Sequence, residues 1–136
     1  MTRIIRTQLM PSNTGLAFIP GVVLLAPNAS PSLEAHELRH KDQQARDGWL
    51  LWTLRYALYP AWRLVYEAEA YAVSAMHKCQ AADWLCDVRL MIRNEADNLR
   101  YYNWWFFWTP SVDDAVEKIT HYFQIEKLNT LGAKND

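Results

Sequence analysis

Two cysteines, Cys79 and Cys86, are all the chain has among its 136 residues. On one continuous helix their Cα atoms would stand about 10 Å apart, beyond the reach of a disulfide. A bridge would need a break between them, for example at Ala82-Asp83, so the expectation is two reduced, buried thiols. No C-x-x-C pairing exists, which removes the cysteines as zinc ligands. No run of eighteen or more uncharged apolar residues occurs, so no transmembrane helix is expected. Net charge is -1 and Lys and Arg gather into no basic stripe, which excludes nucleic acid as an expected partner. Internal repeats and low-complexity linkers are also missing. Arg3 and Arg6 ahead of the apolar stretch Leu16 to Ala26 have the outline of a signal peptide. Pro20-Gly21 interrupts that stretch, and two strands joined there explain it as well. The expected location is therefore cytoplasmic.

With 51% hydrophobic and 13% aromatic residues, the chain has enough apolar surface for the core of one domain, residues 1–136. Residues 1–29 read as β-rich: Arg3 to Thr7 alternates weakly, Leu16 to Ile19 is a short apolar run, and Gly21 to Leu25 is bounded by Pro20 and Pro27-Asn28. Residues 30–136 read as helical. Helices are expected over Ser30 to Arg46, Trp49 to Tyr59, Ala61 to Gln80, Ala82 to about Tyr102, and Val112 to Leu131. The second is apolar nearly all round, as befits a helix that is buried or lies under another surface. Ser30-Pro31 and Ser111 are start signals, and Asp47-Gly48 is a stop signal. The expected class is α+β: a small antiparallel or mixed sheet of two or three strands, then four or five helices.

The most informative stretch is His36-Glu37-Leu38-Arg39-His40. Four residues apart on a helix, His36 and His40 point off one face and can share a zinc ion, while Glu37 can take a proton from a zinc-bound water. The plain alternative is a surface helix with two solvated histidines. Leu33, Ala35 and Leu38 are the expected buried stripe of that helix. A zinc site of this kind needs a third protein ligand. Asp47, His77, His121, Glu67 and Glu69 are candidates. Glu67 and Glu69 are about 200° apart on a helix, so both cannot reach one metal. Periodicity favours Glu69, which falls on the apolar face of Trp62, Val65, Tyr66, Ala72, Val73 and Met76, where a metal would compensate a buried carboxylate.

The motif, Gln43 three residues beyond it, and Glu67-Ala68-Glu69-Ala70-Tyr71 together resemble the gluzincin group of zinc metallopeptidases, and most of all its minimal single-domain members. The likeness covers roughly residues 20–75. It implies His36, His40 and Glu67 as zinc ligands, with Glu69 the alternative, and Glu37 as the general base. It also sets Tyr71 at a position where the group often has an aspartate supporting a histidine. The implied reaction is hydrolysis of peptide bonds by zinc-activated water, with Tyr71 or Arg39 stabilising the oxyanion, and Leu24 and Leu25 lining the cleft. An edge strand ahead of the motif would pair with the bound peptide. The substrate would be a peptide or protein, cell-wall peptide included. A different class of reading is a non-catalytic, zinc-containing or metal-free accessory protein, as of a phage or mobile element. Its contact surface would be the aromatic run Tyr101 to Trp108, which reads first as a core plug against the helices and otherwise as an exposed partner or membrane-surface patch or a groove wall.

Overall fold

The computed structural model describes residues 2–103 and 109–132, with nothing stated for the side chains of 101–103. The fold is α+β and mainly helical, with a three-stranded mixed sheet at the N-terminus. The strands are β1 (Arg3–Arg6), β2 (Gly15–Leu16) and β3 (Val22–Leu25), and the described helices are α1 (Pro31–Asp47), α2 (Trp49–Leu58), α3 (Pro60–Ala81), α4 (Val88–Asn103) and α5 (Val112–Gly132). The chain divides into two compact units, Met1–Tyr66 and Glu67–Asp136, and the division falls inside the continuous helix α3.

In the first unit the strand order is β1-β3-β2. β1 runs parallel to β3 with Arg3 opposite Val22, and β2 runs antiparallel to it with Leu16 opposite Leu24. β3 is therefore the central strand. The expected edge strand ahead of the motif is corrected on this point, because backbone groups on both sides of β3 are already paired. Alternation along β3 sends Val23 and Leu25 inward, both fully buried, where they meet Ala17 and Ala29 and pack against Leu33 and Leu38 of α1. Leu25 is thus a core residue and does not line a cleft.

Local chemistry sets the boundaries of α1. Ser30 is extended and its hydroxyl accepts from the Leu33 backbone N–H at 3.2 Å, with Pro31 opening the helix. Gly48 ends it at a φ of 81°, a conformation glycine adopts without steric penalty. Arg6 ties the sheet to this helix start, pairing with Glu34 at 2.6 Å and donating to the Ala29 carbonyl at 3.2 Å. α2 follows at once. Only Trp52 is buried on it, while Leu50, Leu51, Leu54 and Leu58 are exposed, so its apolar composition does not reflect burial among the described residues.

In the second unit α3 continues and is buried on nearly every side from Ala68 to Met76. It stops at Ala81, where Asp83 and Trp84 both adopt positive φ, 49° and 62°. The next helix begins at Val88, six residues later than the expected Ala82. Asp87 caps it by accepting from the backbone N–H groups of Arg89 and Leu90 at 3.0 and 3.2 Å. α4 packs on α5, whose inner face is Ala115, Ile119 and Phe123. Ser111 caps α5 through the Asp114 N–H at 3.0 Å. The aromatic run extends beyond the described residues.

Candidate metal centre

The buried face of α1 is polar. Ser32, His36, His40 and Gln44 recur at one-turn spacing, with Glu37, Lys41 and Gln43 beside them, and all seven are buried. Leu33, Ala35 and Leu38, the expected buried stripe, are only half-buried. Buried polar groups persist when hydrogen-bonded, paired or coordinated. Partners of these side chains accordingly show what the face is built to hold.

Gln43 is fully buried and is the most informative of them. Its Nε2 donates to the Tyr66 carbonyl at 2.8 Å, while its Oε1 lies 2.9 Å from His40 Nδ1 and accepts from Trp52 Nε1 at 3.3 Å. A carbonyl only accepts and an indole N–H only donates, so both contacts assign the amide the same way round. Oε1 then has only lone pairs to offer, and His40 Nδ1 must carry the proton. That leaves Nε2 of His40 with its lone pair available as a ligand. Trp52 and Tyr56 pack edge-on against the His40 ring with centroids 5.7 and 6.1 Å away, limiting its rotation.

His36 stands edge-on to His40 at 4.9 Å between centroids, as expected of imidazoles one turn apart. The third member comes from α3. Asp47 at the end of α1 accepts from the Tyr66 hydroxyl at 2.5 Å, and Gln43 holds the Tyr66 carbonyl, so α1 grips the start of α3 at two points. Helix continuity then carries Glu67 on from Tyr66. One ligand atom from each of His36, His40 and Glu67 lies within 4.8 Å of the others, and all three residues are buried. Among the described residues this is the group able to hold a metal ion, and it does not include Glu69, which is also buried.

Two imidazoles and a carboxylate are a donor set that zinc takes in catalytic sites, leaving a fourth position open. Ligand atoms of a tetrahedral zinc stand about 3.3 Å apart, so small side-chain rotations close the observed spread. The residues present fit the ion.

Glu37 is buried next to His36, and the main chain of β2 passes directly over it. A Cβ on Gly15 would lie 2.6 Å from Glu37 Cγ and 2.7 Å from its Oε1. Only glycine permits that approach. The segment after β2 is held by Lys41 and Gln44. Lys41 Nζ donates to the carbonyls of Ala17 and Ile19 and to Gln44 Oε1, and Gln44 Nε2 donates to the Ala17 carbonyl at 2.6 Å. Burial lowers the Lys41 pKa, an effect that the negative charge of Glu37 partly offsets.

The other ligand candidates are placed elsewhere. Asp47 is engaged by Tyr66, by Arg46 at 3.1 Å and by Arg55 at 3.4 Å. Burial alone would raise its pKa, but hydrogen bonds from Tyr66 and Arg46 and the charges of Arg46 and Arg55 outweigh it and hold the carboxyl below its usual range. The Tyr66 hydroxyl is pushed up, first by burial and then by its bond to Asp47. His77 and His121 are exposed. Tyr71 is buried one turn beyond Glu67 on α3, and Arg39 is half-buried. Sequence reasoning missed Gly15, Lys41, Gln44 and the bridging role of Gln43. The polar recurrence Ser32-His36-His40-Gln44 was the available signal for Gln44.

No family model, curated protein or solved structure matches the chain.

Proposed function

We propose that the protein is a zinc-dependent metallopeptidase in which His36, His40 and Glu67 hold the metal and Glu37 is the general base. The observation that carries this reading is the convergence of those three buried ligands beside Glu37. Zinc held there supplies a Lewis acid for the scissile carbonyl and brings the pKa of its water toward neutrality. Glu37 takes a proton from the attacking water and passes it to the leaving amine. Gln43 keeps the His40 proton on Nδ1, so the ring offers Nε2 without rearrangement. The Tyr71 hydroxyl or the Arg39 guanidinium donates to the developing oxyanion.

An extended peptide is the substrate class this arrangement suits. β2, not β3, is the sheet edge nearest Glu37, and a substrate backbone pairing along it would run past the base. No described helix is long and apolar enough to cross a membrane.

The test is cleavage of a mixed peptide library, cell-wall peptides included, followed by mass spectrometry. The parent is expected to cleave, to stop with a chelator and to recover with zinc. Glu37→Gln is expected to bind zinc yet cleave at least about a hundredfold more slowly, the scale of a lost general base. Parent-level cleavage by Glu37→Gln would overturn the mechanism.

A further inference from the structure

Cys79 and Cys86 are far apart along a helix, yet the turn after α3 returns the chain to bring them together. Trp84 N–H bonds back to the Cys79 carbonyl at 2.8 Å, and the left-handed Asp83 and Trp84 reverse the backbone. Cys86 then donates to Cys79 with the sulfurs 2.6 Å apart, much closer than the 3.6 Å between Cys79 Sγ and Met91 Sδ in the same cluster. Both cysteines are free thiols. The helix break that a bridge requires is therefore present, and the pair is already inside ordinary sulfur contact.

Their environments differ. Cys79 is fully buried, and burial first, with the Cys86 sulfur close beside it, pushes its thiol up to about 12. Cys86 is half-buried and lines a cleft of about 250 Å3 with Lys78, Met91 and Glu95, so a small oxidant reaches Cys86 first.

We infer that Cys79 and Cys86 are a redox-modification site, closed to an intrachain disulfide by a two-electron oxidant of the peroxide class. Cys86 thiol reduces the peroxide to water and becomes a sulfenic acid. Cys79 sulfur attacks the Cys86 sulfur, the S–O bond breaks, and the hydroxyl leaves as water with the Cys79 proton. Two thiols and one hydrogen peroxide thus give one disulfide and two waters. The bridge staples the end of α3 to the residue before the α4 cap. It is independent of the metal site.

The experiment treats the full-length reduced chain with hydrogen peroxide and then removes the oxidant. The expected result is a mass lower by about 2 Da, loss of both alkylatable thiols, and a peptide pair linked through Cys79 and Cys86. A dithiothreitol-reversible rise in Tm of about 5 °C or more should accompany it, from constraining the unfolded chain across a short loop. Cys86→Ser should show neither the mass loss nor the shift. This variant changes the half-buried partner, so it decides the matter even if Cys79→Ser fails to fold. Two alkylatable thiols after treatment, or sulfinic acid at Cys86 with Cys79 still reduced, would overturn the inference.

Discussion

Replacing Gln43 by leucine removes one buried amide and three contacts while nearly keeping its volume. The Tyr66 carbonyl loses its donor, Trp52 Nε1 loses its acceptor, and His40 Nδ1 loses the group that assigns its proton. Each stranded buried group costs about 1–3 kcal/mol. With leucine recovering part of that through apolar burial, the expected stability loss is about 2–4 kcal/mol. The effect on metal is separate. Loss of a hydrogen-bond partner behind a ligating histidine weakens metal binding about 10- to 100-fold. The assay is zinc competition against a chromogenic chelator, at a temperature where circular dichroism shows the variant folded. Gln43→Glu is the control: its carboxylate still accepts from His40 Nδ1 and Trp52 Nε1, but both oxygens repel the Tyr66 carbonyl. It should lose stability while holding zinc within about tenfold of the parent. A folded Gln43→Leu variant with parental zinc affinity would refute the reasoning that this amide sets the His40 tautomer for a metal.

Gly15→Ala should keep zinc but push the Glu37 carboxylate aside, since the new Cβ meets it at under 3 Å; peptide hydrolysis should fall about 10- to 100-fold, with a stability loss of about 1–3 kcal/mol by calorimetry. Asp47→Asn should destabilise the fold at neutral pH by about 1–3 kcal/mol in urea titration. The folded-state pKa of Asp47 lies below its unfolded value of about 3.9, so its contribution is present above pH of about 4 and lost as pH falls through the folded value. The variant should therefore show a shallower acid-induced loss of stability below that pH than the parent.

How much was legible varies by element. The caps at Ser30, Gly48 and Ser111 and the extent of α1 follow from side-chain chemistry within a few residues, and sequence carries such information directly. The α4 start was misread because Ala82 to Leu85 holds no glycine or proline. Asp83 and Trp84 take left-handed conformations there that local preference does not announce, and Asp87 supplies the cap instead. Strand pairing was open for a different reason. Alternation in β3 shows which side chains face inward, but not that β1 and β2 flank it. In the candidate metal centre, helical spacing alone placed His36 beside His40. Choosing Glu67 over Glu69 needed the rotation of α3 about its axis, which periodicity read the other way because both carboxylates are buried. Gly15 was invisible, since its approach to Glu37 depends on how β2 crosses α1.

Zinc content per chain, by elemental analysis of protein prepared without chelator or metal-affinity tag, is the most direct test of a zinc site at His36, His40 and Glu67. One zinc per chain is expected in the parent and in Glu69→Ala, and its loss in Glu67→Ala. A parent that takes up no zinc on reconstitution, or zinc that survives Glu67→Ala but not Glu69→Ala, would contradict that site.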